Sequence, residues 1–171
     1  DLAQYIDFPA IMPYVDFVNI MSYDMGWAPK HNAPLYRTDA EGNKSDIVGG
    51  HCTDEAVKAH LAAGVPAGKL VMGMPLYGRG NRATYGDFVD YNEIKGPKEG
   101  HTEIWDDIAK VPYYADQDGT LHLGFDNVRS ITEKCRYIID NGLLGGMYWE
   151  YAGDNEAGDL TLTISRLILD R

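Results

Sequence analysis

Three short segments of the sequence begin with apolar residues and end in side chains that could do chemistry. The segments are residues 16–24 (DFVNIMSYD), 69–77 (KLVMGMPLY) and 145–150 (GGMYWE). The functional side chains at or just after their ends are Met21, Tyr23, Asp24, Tyr77, Arg79, Trp149 and Glu150. A carboxylate, a phenol and an indole side by side suit a sugar, because the indole stacks on the apolar face of a pyranose ring while polar groups bind its hydroxyl or amide substituents.

Each of these side chains also has an ordinary structural explanation. A large aromatic residue such as Trp149 at a strand end commonly packs in a core. An isolated acid such as Asp24 commonly caps a helix or a turn. Because such residues end three segments together, the pattern favours a binding site over these separate explanations.

The three segments have the hydrophobicity of strands in a parallel sheet. Each carries a nearly continuous apolar run, which is typical of strands buried on both faces. Helices are predicted at residues 54–63, with Thr53 as N-cap and Gly64 at the end, at residues 127–141 and at residues 160–169. Alternating helices and parallel strands indicate an α/β fold, in which functional residues lie at the carboxyl edge of the sheet.

Residues from about 79 to 125 break this alternation. The stretch holds Gly, Pro and many Tyr residues, and residues 113–125 predict a β-hairpin that turns at Asp118 and Gly119. We therefore expect a small, mainly β insertion between the second and third strands.

Composition excludes several classes of partner. The chain of 171 residues has 15 Lys and Arg against 26 Asp and Glu, a formal charge of −11, and no basic cluster that could neutralise a phosphate backbone. No nucleic-acid partner is expected. The longest apolar stretches fall far short of the roughly 20 residues that a membrane helix needs, so no membrane insertion is expected either.

Metal and cofactor chemistry find no support in the sequence. The histidines do not stand at ligand spacing, and Cys52 and Cys135 lie far apart, so we predict neither a metal site nor a disulfide framework. Gly78, Arg79 and Gly80 do not open a helix, as a phosphate-binding loop requires. No cofactor is therefore expected.

The three strand-end motifs resemble those of family 18 glycoside hydrolases, the chitinase family of (β/α)8 barrels. Residues 19–24 (NIMSYD) are similar to the sixth barrel strand, residues 73–79 (GMPLYGR) to the seventh and residues 145–150 (GGMYWE) to the eighth. Further similarities lie in the loop after the sixth strand and in the insertion, at residues 33–36 (APLY), 91–94 (YNEI) and 126–134.

The resemblance implies a fold and a domain organisation. The fold class would be α/β, the C-terminal portion (about strands 6 to 8) of a (β/α)8 TIM barrel, with a small α+β insertion between strands 7 and 8. Residues 1–171 would form a partial family 18 catalytic domain, and residues 80–142 the insertion within it.

The resemblance also implies a substrate-assisted mechanism, in which the carbonyl oxygen of the substrate's own N-acetyl group attacks the anomeric carbon and an upstream Glu protonates the leaving oxygen. Tyr23 and Asp24 would be the catalytic residues of this chain, with Tyr23 bonded to the acetamido carbonyl and Asp24 to the acetamido group or neighbouring hydroxyls. The substrate-binding residues would be Met21, Trp27, Tyr77, Arg79 and Trp149. Met21 would line the pocket wall, Trp149 would form the floor of the sugar subsite next to the scissile bond, and Trp27 would stack on a leaving-side sugar.

Tyr77 and Arg79 would contact flanking sugars or orient carboxylates.

One departure from the family pattern concerns the general acid. The string Asp-x-x-Asp-x-Asp-x-Glu, whose last residue is that acid, occurs nowhere in this chain. The resemblance places the chain start in the helix before strand six, and 171 residues are fewer than the roughly 250 of a full barrel. We therefore expect an N-terminal barrel half as partner, an oligo- or polysaccharide containing N-acetylglucosamine as substrate, and a secreted or cell-surface location.

Three functional hypotheses remain open at this point. The first is part of a chitinase-type hydrolase acting on β-1,4-linked N-acetylglucosamine glycans. The second is a non-catalytic chitinase-like carbohydrate-binding protein, a lectin, and the third is a structural glycan-binding module without enzymatic ancestry. The presence of Tyr23 and Asp24 favours the enzyme, because binding alone does not require groups that act in a transition state.

Overall fold

The computed structural model describes residues 2–169. In this part of the chain the helices are α1 (Phe8–Ile11), α2 (Thr53–Ala62), α3 (Val128–Asp140) and α4 (Asp159–Ile168). The strands are β1 (Val18–Ile20), β2 (Leu70–Pro75), β3 (Tyr77–Gly80), β4 (Phe88–Asp90), β5 (Thr102–Asp106), β6 (Val111–Ala115), β7 (Leu121–Gly124) and β8 (Gly145–Trp149). They form one parallel and one antiparallel sheet.

The parallel sheet has the strand order β1-β2-β8. Val18 pairs with Leu70 on one side of β2, and Val71 pairs with Gly145 on the other. Every residue of the central strand β2 is buried. The predicted parallel pairing of the three segments is confirmed, and their carboxyl ends lie at one edge of the sheet.

The second strand ends earlier than the sequence predicts. The apolar run of residues 69–77 predicts one strand, but β2 stops at Pro75 and Tyr77 already belongs to the antiparallel sheet. At Leu76 the backbone N–H donates to the carbonyl oxygen of Trp149 at 2.7 Å, while the Leu76 carbonyl accepts from the N–H of Tyr91 at 2.9 Å. Leu76 is therefore the point at which the chain passes from one sheet to the other.

The antiparallel sheet has the strand order β4-β3-β7-β6-β5. The predicted hairpin is confirmed as β6 and β7, joined by a turn in which Asp116 Oδ1 accepts from the N–H groups of Asp118 and Thr120 at 3.0 and 2.9 Å. These bonds fix the turn because the aspartate side chain satisfies backbone donors that no strand can reach.

The main core lies between the parallel sheet and its helices. Alternate side chains of β2 are fully buried there against residues of α3 and α4; the shared cluster includes Leu70, Met72, Met74, Ile131, Ile138, Leu160 and Ile164. Burying each large apolar side chain contributes about 1.5–3 kcal/mol. None of the helices among residues 2–169 has the length and apolar character to cross a bilayer.

The predicted helices are confirmed to within a residue at each end, but one N-cap prediction was wrong. The helix α2 begins at Thr53 itself, and Cys52 occupies the N-cap position. Glu55 Oε2 accepts from the Cys52 N–H at 3.2 Å, and Arg37 holds the same carboxylate with two N–H donors at 2.5 and 3.0 Å. Glu55, at the third position of the helix, therefore satisfies the backbone N–H of the N-cap residue.

A buried ion pair ties α3 to the segment after β7. The ammonium group of Lys134 lies 2.6 and 2.8 Å from the two carboxylate oxygens of Asp126, and Ser130 Oγ donates to Asp126 at 2.7 Å. Both charged side chains are almost completely buried. Such pairs hold elements in register, because the loss of one partner leaves an uncompensated charge in the interior.

Candidate functional site

The structure brings five of the predicted residues together: Tyr23, Asp24 and Trp27 after β1, and Tyr77 and Arg79 in β3. Tyr77 and Arg79 point from the antiparallel sheet toward Asp24, which follows the parallel strand β1. Tyr77 Oη donates to Asp24 Oδ1 at 2.7 Å. Arg79 donates from Nε to Oδ1 and from Nη2 to Oδ2, both at 2.7 Å. This two-pronged contact between guanidinium and carboxylate fixes the plane of the Asp24 carboxylate as well as its position.

These bonds keep Asp24 ionised. Partial burial alone would raise the pKa of Asp24, but the hydrogen bonds from Arg79 and Tyr77 and the charge of Arg79 lower it below its ordinary value. The same contacts raise the pKa of Arg79, while burial and the bond to Asp24 raise the pKa of Tyr77. The site therefore holds a carboxylate, a guanidinium and a protonated phenol around neutral pH.

Aromatic rings enclose the Arg79 guanidinium. Its central carbon lies 5.4 Å from the ring centre of Trp27 and 5.2 Å from those of Tyr77 and Phe88. Tyr77 and Phe88 stack with their ring centres 4.2 Å apart. Cation–π contacts of this kind restrain an arginine that must keep one orientation.

Tyr23 lies beside this cluster with its ring edge-on to Tyr77, at 6.2 Å between ring centres. A Cβ on Gly73 would lie 2.5 Å from the Ile20 carbonyl oxygen and 2.9 Å from Cε1 of Tyr23. The glycine therefore leaves the space that the Tyr23 ring occupies. Burial and the neighbouring Asp24 raise the pKa of Tyr23, so its phenol keeps its proton.

Trp149 and Met21 stand at the same edge of the parallel sheet and are open to solvent. Trp149 pairs with Pro75 at the end of β8 and is 51% exposed, and Met21 is 68% exposed. A core position for Trp149 is therefore wrong for this chain. Trp27 is also exposed, on the loop after β1.

Two residues of the site were missed by sequence reasoning. Phe88, in β4, completes the aromatic enclosure of Arg79, and Asn32 bonds to the backbone of both Asp24 and Tyr77. Neither residue ends an apolar run, so the strand-end pattern gave no signal for them. The nearest segment with a resemblance to the family is residues 33–36 (APLY), directly after Asn32.

Histidines lie outside this cluster. His31 is buried, and its Nε2 is 3.0 Å from Asp106 Oδ2. Within residues 2–169, no group of three His, Cys, Asp or Glu side chains is arranged to hold a metal ion.

Comparison with known proteins places this chain in a family. The sequence model of the family "Glycosyl hydrolases family 18" matches residues 1–154. Chitinase A1 of Niallia circulans is 35% identical over 173 aligned positions, which cover 84% of this chain and 25% of that protein. Endochitinase 1 of Metarhizium robertsii is 33% identical over 85% of this chain and 37% of its own length.

Solved structures of the same family superpose on the chain. Chitinase ChiA74 from Bacillus thuringiensis has a TM-score of 0.82 and 27% identity, over 98% of this chain and 34% of that one. A family 18 N-acetylglucosaminidase from Paenibacillus barengoltzii has a TM-score of 0.79 and 28% identity, over 96% of this chain and 52% of that one. The chain thus spans between 25% and 37% of the length of these two curated relatives.

Proposed function

The chain belongs to the glycosyl hydrolases of family 18, and from this premise we propose that it forms part of a chitinase-type active site. The substrate would be a β-1,4-linked N-acetylglucosamine glycan, cleaved by substrate-assisted hydrolysis with retention of configuration. The observation that carries the proposal is the Asp24 carboxylate, which Tyr77 and Arg79 hold ionised beside the phenol of Tyr23.

This arrangement suits a reaction in which the substrate's acetamido group is the nucleophile. When its carbonyl oxygen bonds to the anomeric carbon, the nitrogen gains positive charge, and a fixed carboxylate stabilises that charge without reorganising. An ionised carboxylate has about four acceptor positions. Three of them on Asp24 accept from Tyr77 and Arg79, which leaves one on Oδ2 for the acetamido N–H, while the protonated Tyr23 can donate to the acetamido oxygen.

The exposed aromatic residues would bind the sugar rings. Trp149 would be the floor of the subsite next to the scissile bond, Met21 its wall, and Trp27 the platform for a leaving-side sugar. The bonds of Tyr77 and Arg79 to Asp24 support the orienting role predicted for them over a primary contact with flanking sugars.

We assign β1, β2 and β8 to strands 6, 7 and 8 of a (β/α)8 barrel, with residues 1–171 as a partial catalytic domain and residues 80–142 as its α+β insertion. Two observations support the assignment: the chain matches a fraction of its relatives' length, and β1 and β8 each have one unpaired edge. An N-terminal barrel half would cover these edges and supply the general acid. By analogy with its relatives the protein would be secreted or displayed at the cell surface.

A second candidate is a non-catalytic chitinase-like lectin. It stays open because the string Asp-x-x-Asp-x-Asp-x-Glu is absent from the sequence, so residues 1–171 supply groups that could bind a sugar but no general acid. A lectin would use Trp149 and Trp27 as binding platforms, and Asp24 only as a ligand for the bound sugar.

The two candidates differ in the expected kinetics of Asp24→Asn in the full-length protein, that is, residues 1–171 together with the proposed N-terminal barrel half. If Asp24 stabilises the transition state, kcat and kcat/KM fall together by at least about tenfold, or roughly 1.4 kcal/mol, with little change in KM. Asp118→Asn, the same change in the exposed β6–β7 turn, serves as the control and should leave both constants unchanged. A rise in KM alone, with kcat intact, would demote Asp24 to a binding residue of an enzyme. A full-length protein that binds the oligosaccharide but shows no turnover would favour the lectin.

A further inference from the structure

We propose that Asn32 is a positioning residue that holds Asp24 in its working orientation, an inference that rests on the function proposed above. Asn32 lies on the loop after β1 and is 1% exposed, so substrate cannot touch it. Its effect on the reaction must therefore pass through the residues to which it is bonded.

Three hydrogen bonds close a ring through Asn32, Asp24 and Tyr77. Asn32 Oδ1 accepts from the Asp24 backbone N–H at 2.9 Å, and Asn32 Nδ2 donates to the Tyr77 carbonyl oxygen at 3.3 Å. The Tyr77 hydroxyl completes the ring by donating to Asp24 Oδ1 at 2.7 Å. Asn32 thus fixes the distance between the backbone that carries the carboxylate and the backbone that carries its donor.

The backbone of Asp24 requires such a partner. Asp24 has a φ of 56°, in the left-handed region that side-chain-bearing residues seldom adopt. The loop supplies two bonds at this place, because the Asn32 carbonyl also accepts from the Met25 N–H at 2.9 Å. Asn32 therefore restrains two consecutive peptide units at the end of β1.

Asn32 is itself anchored to the antiparallel sheet. The preceding residue, His31, is 0% exposed and bonds to Asp106 at the end of β5. The antiparallel sheet also packs closely on the loop at Asn32, because a Cβ on Gly124 in β7 would lie 3.2 Å from the backbone nitrogen of Asn32. A rigid support of this kind is what a positioning residue needs if it is to hold a catalytic group in place.

Steady-state kinetics on an N-acetylated chito-oligosaccharide in the full-length protein test the inference. The variants are Asn32→Ala, Asp24→Asn, their combination, and the matched control Asn127→Ala. Asn127 caps α3 through its side chain and has no bond to the Asp24 cluster. We expect Asn32→Ala to lower kcat at least about tenfold with little change in KM, because small misplacements of a catalytic group have such effects.

The double variant distinguishes positioning from a merely structural role. If Asn32 acts through Asp24, Asn32→Ala should cost little further kcat once Asp24→Asn is present, whereas independent effects would multiply. Equal losses in both backgrounds, or a kcat for Asn32→Ala no lower than that of Asn127→Ala, would overturn the inference while leaving the proposed function standing. An unchanged kcat in Asp24→Asn would overturn both.

A second variant covers the case in which Asn32→Ala does not fold. Asn32→Asp has the same shape and keeps an acceptor for the Asp24 N–H, but it loses the donor to Tyr77 and places a carboxylate beside Asp24. A neighbouring negative charge raises the pKa of Asp24, so the acidic limb of the kcat/KM profile should move to higher pH. A folded Asn32→Asp protein with wild-type kcat and an unmoved acidic limb would contradict the inference.

Discussion

The pKa of Asp24 is lowered by donors that reach it from another sheet. Arg79 and Tyr77 belong to β3 of the antiparallel sheet, while Asp24 follows β1 of the parallel one. Partial burial would otherwise favour the protonated acid. The lowered pKa of Asp24 therefore depends on the two sheets keeping their relative positions.

Replacement of Tyr77 by Phe tests how far the pKa of Asp24 depends on one hydroxyl group. Tyr77→Phe keeps the ring that stacks on Phe88 but removes a hydrogen bond to the ionised Asp24, so the pKa of Asp24 rises. We expect kcat/KM to fall about tenfold on the acidic side of the profile, with a smaller loss at neutral pH, since a bond to a charged group contributes about 1.5–3 kcal/mol. Tyr137→Phe removes a comparable tyrosine–aspartate bond, that to Asp54, which is not part of the Asp24 cluster, and serves as the control. An identical profile for wild type and Tyr77→Phe would disprove this role of the hydroxyl.

Trp149 is expected to contribute to binding more than to stability. Its indole is half exposed, so Trp149→Ala should lower the melting temperature only slightly, whereas deletion of a core Trp costs about 3–5 kcal/mol. We expect oligosaccharide affinity, measured by calorimetric titration of the full-length protein, to fall at least about tenfold, or 1.4 kcal/mol. The comparison variant Trp105→Ala, in β5, should leave the affinity unchanged. A large loss of stability with unchanged affinity would argue against the platform role.

At the scale of elements, one partly buried carboxylate, that of Asp106, joins the loop after β1 to the antiparallel sheet. Asp106 accepts from His31 Nε2 at 3.0 Å and from Ser45 Oγ at 2.5 Å. It also accepts from the backbone N–H groups of Ile108 and Ala109 at 2.9 and 2.8 Å. Burial would raise the pKa of Asp106, but these donors lower it to about 2.

Asp106 should give the protein a stability component that disappears in acid. Because its folded pKa of about 2 lies below the ordinary 3.8, the stabilisation is complete above about pH 5 and is lost as pH falls through about 2. It amounts to about 2 kcal/mol. Asp106→Asn should therefore lower the unfolding free energy at pH 7, measured with urea, and the deficit should shrink toward pH 2. The exposed neighbour provides the control, since Asp107→Asn should change the unfolding free energy little. A deficit for Asp106→Asn that does not vary with pH would contradict the lowered pKa of Asp106.

The sequence predicts those parts of the molecule that local patterns determine. The helices α3 and α4 and the hairpin of β6 and β7 follow from apolar spacing, capping residues and a turn, all within short stretches. The break at Leu76 was not predictable, because an apolar run reads the same whether it continues one strand or passes into a second sheet. Two hydrogen-bonded pairs were not predictable either, His31 with Asp106 and Asn32 with Tyr77. Local patterns carry no signal for them, because the paired residues lie 75 and 45 positions apart in the sequence.

At the scale of the whole molecule, the chain presents apolar surface beside both unpaired strand edges. Several large hydrophobic residues that flank β1 or β8, besides those proposed to bind sugar, are exposed: Tyr14, Phe17, Leu144, Tyr148 and Tyr151. Exposed strand edges with apolar neighbours usually pair with another segment. The net charge of −11 opposes association between copies of this chain, which is consistent with a different partner at these edges.

Residues 1–171 expressed alone should be catalytically inert, while the full-length protein hydrolyses chito-oligosaccharides. The physical reason is that the sequence has no general-acid motif, and a positioned acid contributes about 10²- to 10⁴-fold to the rate. Release of reducing ends measures both activities, and circular dichroism checks that the isolated chain keeps its helices, so that unfolding is not mistaken for a missing acid. Full-length Asp24→Asn shows how much activity remains when the acid is present but the carboxylate is neutral. Comparable turnover by residues 1–171 and by the full-length protein would mean that the proton donor lies within this chain, and the assignment of the acid to the N-terminal barrel half would then be wrong.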